Sequence, residues 1–198
     1  MEITASNPLI LASASPRRRE LLQNIGIVPD EIIAADIDET PKPKEQAKEL
    51  CQRLAESKAK KIRETHTDCF ILAADTVVVR GQKILGKPEN EGEAREFLKL
   101  LSARRHHVIS GMALINPDGK CISRVVDTMV QFKTLTPSII DYYIKTGEWE
   151  GKAGGYGIQD FAATFVKNMQ GSHSNVVGLS LYDTIKILQS GGYLATDH

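Results

Sequence analysis

This sequence has little that would staple, charge or anchor it. Its three cysteines, Cys51, Cys69 and Cys121, form an odd set with no CxxC or Cys/His spacing. That pattern argues against a disulfide framework or zinc cluster and fits a reducing compartment. Net charge is absent, because 25 basic side chains balance 25 acidic ones, whereas sequence-independent nucleic-acid binding needs a basic excess to displace counterions. Long hydrophobic runs are missing too. Leu9–Ala12 is too short for a signal-peptide core. The stretch 70–79 is broken by Asp75 and reaches about half of the roughly 20 residues a membrane helix needs. The expectation is a cytoplasmic protein with no nucleic-acid and no membrane partner. The five histidines show neither metal nor triad spacing, and His106 and His107 receive no catalytic role. There is no internal repeat.

What is present is the composition of a folded domain. At 198 residues and 41% hydrophobic, the chain can bury roughly 70% of its unfolded surface, and one domain spanning 1–198 is expected. Turn residues punctuate alternating strands and helices. Leu9–Ala12 reads as a strand. Ser15 and Pro16 then open a helix with Leu21, Leu22 and Ile25 on its apolar face, closed by Gly26. An apolar run at 32–35 precedes an acidic stretch and a proline loop, and a long helix is predicted over 45–64. Strands follow at 70–79 and Lys83–Leu85, then a helix over Glu91–Leu101. Two long strands, 108–115 and 122–132, are joined by Asn116-Pro117-Asp118-Gly119, a strong hairpin signal. Pro137 opens a helix that stops at Gly147. A Gly-rich loop at 151–157 comes next, then an apolar strand at 162–166 and a last helix with Leu181, Ile185 and Leu188 on one face. Helices mixed with a long hairpin indicate an α/β architecture with a mixed sheet.

Three residues or groups break the rules of their own elements. The first helix carries Arg17, Arg18 and Arg19 in its first turn, where the helix dipole favours acids. They form either a solvated basic turn or a site where backbone N–H groups and guanidinium forks take an anion such as a phosphate chain. Lys58 falls in the middle of the face made by Ala47, Leu50, Cys51, Leu54, Ala55 and Ile62. It either meets a partner there or, on the plainer reading, snorkels out at the helix end as Lys61 does on its flank. Asp75 sits inside an apolar strand, where an uncompensated carboxylate would cost several kcal/mol. A cation, either a metal ion or a lysine, is expected beside it, and such a setting suits a general base. The loop Gly151-Lys152-Ala153-Gly154-Gly155-Tyr156-Gly157 matches neither a P-loop nor a dinucleotide fingerprint. By itself it reads as an irregular turn, with Lys152 and Gln159 able to supply polar contacts.

Taken together, LILASASPRRRELL at 9–22, DIDET at 36–40, AADTVV at 73–78, ILGKP at 84–88, GKAGGYGIQ at 151–159 and GSHSNVVGL at 171–179 resemble the Maf family of nucleoside triphosphate pyrophosphatases, in the branch acting on dTTP and UTP. The resemblance implies an elongated mixed β-sheet flanked by helices, similar to the inosine triphosphate pyrophosphatases, with two lobes around a central cleft. It also implies a homodimer, a nucleoside triphosphate as substrate, and cleavage between the α- and β-phosphates to a nucleoside monophosphate and pyrophosphate. Carried over by motif, the proton acceptor falls on Asp75 and the specificity positions on Arg17, Thr76 and Gln159. Ser13, Arg17, Arg18, Lys58, Lys87 and Lys152 fall on phosphate-facing positions. A divalent cation, Mg²⁺ or Mn²⁺, would be held by Asp75 and Glu39. The GKAGGYGIQ block separates this branch from a sister that prefers methylated GTP. The chain departs from the family pattern at Asp160, commonly Gly, at His173, commonly Tyr, and at Ser180, commonly Pro. Two other readings remain: the same chemistry on methylated GTP or another modified nucleotide, and a non-catalytic regulator of septum formation.

Overall fold

The computed structural model describes residues 2–196. Among them, seven strands form one mixed, open sheet. In chain order the elements are β1 (Leu9–Ala12), α1 (Pro16–Asn24), β2 (Glu31–Ile32), α2 (Ala47–Arg63), β3 (Phe70–Arg80), β4 (Lys83–Leu85), α3 (Glu91–Leu101), β5 (Arg105–Ile115), β6 (Cys121–Phe132), α4 (Pro137–Thr146), β7 (Val166–Gln170), α5 (His173–Val177) and α6 (Leu181–Gly191). The strand order is β2-β1-β3-β5-β6-β7, with β4 paired to the outer end of β3. No described helix is long and apolar enough to cross a membrane.

Contacts divide the chain into two compact units. The first comprises Met1–Asp75, Ser110–Val126 and Gly178–His198; the second comprises Thr76–Ile109 and Asp127–Val177. In the first unit, β1 runs parallel to both β2 and the start of β3, with Leu9 opposite Phe70 and Ala12 opposite Ala73. Parallel strands buried on both faces read as unbroken apolar runs, and all four residues of β1 are buried. Helix α2 lies on this sheet through Ala55, Ala59 and Ile62, which pack with Ile10, Ile71 and Ala113. The approach is close enough that a Cβ at Gly111 would stand 2.1 Å from the Cys51 carbonyl oxygen. Only glycine permits that contact, and it sets the depth at which α2 sits.

In the second unit, Val78, Leu85, Phe97, Leu98, Val130, Phe132, Tyr143 and Phe165 belong to a separate apolar core. Strand β4 folds back antiparallel on β3, with Val78 opposite Leu85, and β6 pairs antiparallel with β7.

Three expectations need correction. Residues 162–166 do not form a strand: Phe161–Phe165 is a 3-10 helix and the strand begins at Val166. Ala162 and Phe165 are the buried pair, and a spacing of three is the period of a 3-10 turn, not of an alternating strand. Of the run 32–35, only Ile32 joins a strand, and both residues of that strand are exposed. On α6 Leu188 is buried as expected, but the side chains buried beside it are Thr184, Ile187 and Gln189, not Leu181 and Ile185. The short helix α5 carried no sequence signal that was recognised.

Candidate active site

The first unit holds six of the expected residues, Ser13, Arg17, Arg18, Glu39, Lys58 and Asp75, and bonds join Lys58 to Asp75 and Glu39, and Arg18 to Ser13. Lys58 Nζ donates to Asp75 Oδ1 at 2.6 Å and lies 2.6 Å from Glu39 Oε1. Lys58 and Asp75 are 9% and 8% exposed, so the lysine does not snorkel. It occupies the apolar face of α2 because an acid from β3 meets it there. This answers both rule-breaking positions at once: each buried charge is the other's compensation. Strand β3 presents Asp75 at fixed depth because it is an interior strand, lying between β1 and β5.

Helix α1 brings the arginines. Ser15 is its N-cap, with no side-chain cap bond, Pro16 follows, and no acid occupies the first turn. Ser13 is buried; its Oγ accepts from the Ser15 N–H at 3.2 Å and from Arg18 Nη1 at 3.0 Å. Arg18 Nε donates to the Gly178 carbonyl at 2.9 Å. Burial lowers the Arg18 pKa, Asp75 opposes that shift, Arg17 adds to it and Glu39 opposes it. Arg18 therefore shares one electrostatic environment with Arg17, Glu39 and Asp75. Arg19 is exposed, whereas Arg17 and Arg18 are half-buried.

Sequence reasoning missed the brace that holds the DIDET segment. Arg53 forks onto Glu45, with Nε to Oε1 at 2.5 Å and Nη2 to Oε2 at 2.8 Å, and Nη2 also donates to the Thr40 carbonyl at 3.1 Å. The Glu45 carboxyl is held down to about 2, first by Arg53 and then by the Lys42 N–H. No periodicity marks Arg53; the only clue was that the loop 36–46 needed something to tie it to the helix carrying Lys58.

The second unit contains Thr76, Lys87, Lys152 and Gln159. Thr76, partly buried, follows Asp75 on β3, so the two side chains leave opposite faces of the strand. The Gly-rich loop folds onto the segment after β4: the Gly154 N–H donates to the Gly86 carbonyl at 2.9 Å. Gly154 has φ +69°, and a Cβ there would come within 2.8 Å of the Val78 side chain. This brings the ILGKP and GKAGGYGIQ blocks together, with exposed Lys87 between Gly86 and Pro88. Lys152 Nζ donates to the Glu148 carbonyl at 2.6 Å and lies 3.9 Å from Asp160 Oδ2. Gln159 Nε2 donates to the same Asp160 oxygen at 2.6 Å. Asp160, one of the three departures from the family pattern, is thus the hub joining Lys152 and Gln159.

Among the described residues, no group of three or more His, Cys, Asp or Glu side chains forms a metal cage. Asp75 and Glu39 nevertheless direct one oxygen each at a single cationic atom. Two hard oxygen donors suit Mg²⁺ or Mn²⁺, which commonly take one or two carboxylates and complete their shells with water and substrate phosphates.

A family model described as "Maf-like protein" matches residues 8–191. The chain is 48% identical over 188 residues to a protein of Zymomonas mobilis named dTTP/UTP pyrophosphatase, covering 95% of this chain and 93% of that relative. It is 50% identical over 185 residues to one of the same name in Paramagnetospirillum magneticum, covering 93% and 97%. Among solved structures, a HAM1 protein from Coxiella burnetii superimposes with a TM-score of 0.51 at 16% identity, over 93% of this chain and 99% of that one. That likeness concerns the fold.

Proposed function

The chain belongs to the Maf family, and from that membership we propose that it hydrolyses dTTP and UTP between the α- and β-phosphates, releasing the nucleoside monophosphate and pyrophosphate. The observation that carries the reading is the buried Lys58 bonded to Asp75 and paired with Glu39. A protein with only a scaffold role gains little from burying the Lys58–Asp75 pair, since apolar side chains of similar volume are commonly as stable or more so.

In this reading Asp75 orients the attacking water and takes its proton. An O–P bond forms at the α-phosphorus as the bond to the bridging oxygen breaks, and pyrophosphate departs. Arg17, Arg18, Lys58, Lys87 and Lys152 neutralise the polyphosphate and Ser13 offers it a hydroxyl, and charge neutralisation with positioning is most of what phosphoryl-transfer catalysis requires. Asp75 and Glu39 would hold a divalent cation, which supplies further charge neutralisation at the phosphates when bound. Lys58, bonded to Asp75 and paired with Glu39, orients both carboxylates. Arg17, Thr76 and Gln159 set specificity; the Gln159 amide both donates and accepts and so suits a pyrimidine edge. A single Maf-like domain over 1–198, acting as a cytoplasmic homodimer, completes the proposal. The family match over residues 8–191 supports the single domain; the homodimer and the cytoplasmic address rest on the resemblance to the family.

The test is pyrophosphate release from dTTP, UTP, CTP, GTP and methylated GTP, each with Mg²⁺ and with Mn²⁺. Preferred turnover of dTTP and UTP, dependent on the cation, is expected. Preference for methylated GTP would move the chain to the sister branch, and nucleotide binding without turnover would make it a regulator.

A further inference from the structure

We propose that His106 is a positioning residue for nucleotide binding, acting through Tyr156 to hold the loop 151–159 that carries Lys152 and Gln159. The inference rests on the reading that this loop contacts the nucleotide. His106 is 1% exposed, and its Nε2 lies 2.8 Å from the Tyr156 hydroxyl. Its ring packs edge-on against Phe132, with centroids 4.8 Å apart, and against Tyr156 at 5.5 Å. Tyr156 in turn meets Phe132 edge-on at 4.8 Å.

Stability alone does not explain a histidine in this place. Its Nδ1 is buried without a hydrogen-bond partner, an arrangement that costs free energy and that native cores mostly avoid. An apolar side chain would fill the same space against the same aromatic rings with no such penalty. What the imidazole adds is one directional bond, and that bond ends on a residue of the glycine-rich loop. Rules broken in a core commonly mark a functional constraint.

The loop needs such a constraint. Gly151, Gly154 and Gly155 all have positive φ, so the backbone from 151 to 157 has little conformational preference of its own. Two phenols fix its far end. The Tyr156 hydroxyl is tied to His106, and the next residue, Gly157, donates its N–H to the Tyr143 hydroxyl at 3.2 Å. Gln159 follows two residues later, and a Cβ at Gly157 would lie 2.8 Å from its Nε2 and 2.6 Å from Lys152 Cε. Gly157, directly after Tyr156, is thus packed against both polar side chains, and the anchored Tyr156 fixes where it sits.

The experiment measures steady-state kinetics on dTTP for His106→Leu, Tyr156→Phe, the double variant and His106→Gln, with Gln159→Ala beside them. Tyr156→Phe keeps the ring and so removes the hydroxyl with little risk to folding. His106→Leu and Tyr156→Phe are each expected to raise KM about tenfold, within the range that a displacement of about 1 Å produces. The fall in kcat should stay within about twofold, because Asp75 is untouched. The double variant should be no worse than the poorer single one, since both remove the same bond. His106→Gln, which places an amide near the Nε2 position, should recover most of the loss. Unchanged KM in Tyr156→Phe, or a loss confined to kcat and thermal stability, overturns the inference. If KM is also unchanged in Gln159→Ala, the failure belongs to the loop's assigned contact with the nucleotide; if Gln159→Ala raises KM, it belongs to His106 alone.

Discussion

Lys58 Nζ stands 2.6 Å from Asp75 Oδ1 and 2.6 Å from Glu39 Oε1, an ammonium shared by a buried acid from a strand and an exposed one from a loop. The three charges depend on one another. Removing the lysine leaves Asp75 buried without its partner, whereas neutralising both members removes the conflict. Lys58→Met should cost about 3–5 kcal/mol, and adding Asp75→Asn should restore part of it. Urea denaturation of the two variants checks this; equal destabilisation would show that the pair is not coupled.

Asp75→Asn by itself should keep the fold and lose turnover by about 10²–10⁴-fold, the usual contribution of a general base. Pyrophosphate release at saturating substrate measures it. Activity near that of the unmodified protein would remove Asp75 from the mechanism.

Gly111→Ala probes the seating of α2. The new Cβ would stand 2.1 Å from the Cys51 carbonyl oxygen and 2.7 Å from the Gln52 nitrogen, both backbone atoms that no side-chain rotation can clear. Overpacking of this kind costs about 1–3 kcal/mol or more. Because α2 carries Lys58, kcat should fall along with the denaturation midpoint.

Asp160 engages Gln159 Nε2 at 2.6 Å, so a base must compete with it for that amide. Asp160→Gly should release the amide and lower KM for dTTP by about fivefold, equivalent to about 1 kcal/mol for one exposed hydrogen bond, with kcat unchanged. A higher KM would mean that Asp160 organises Gln159 and Lys152 productively.

Burial, and to a lesser extent His107, lowers the His106 pKa from 6.5 to about 3; Tyr156 and His107 are the titratable groups beside it. Between those values the unfolded chain binds a proton at this position that the folded chain does not, so stability falls as pH drops from about 6.5 toward 3, by up to about 1.4 kcal/mol per unit. His106→Gln should remove that part of the acid sensitivity. Denaturation midpoints at pH 7, 5.5 and 4.5 for both proteins provide the comparison, and parallel curves would contradict the shift.

Most of the architecture was legible because it follows from short-range rules. Pro16 and Gly26, Pro137 and Gly147, and the Asn116 to Gly119 turn punctuate the chain by their own backbone preferences, and the buried lengths of β1 and, apart from Asp75, β3 are apolar. The segment 161–170 was misread because Ala162 and Phe165 are equally apolar in a 3-10 turn and in a strand. Ala163 and Val166 are apolar or small as well, so the spacing of three emerges only once burial singles out Ala162 and Phe165.

The sequence by itself determined that Lys58, Asp75 and the arginine turn each break the pattern of their element, because a pattern and its violation are both local. Which residue answers which violation was decided by tertiary structure alone. Lys58 meets Asp75 only because Gly111 lets α2 settle onto the sheet, and a buried His106 meets Tyr156 across fifty positions of chain. Such pairings depend on how helices and strands pack. A buried charge or imidazole announces in sequence that it needs a partner, and packing chooses the partner.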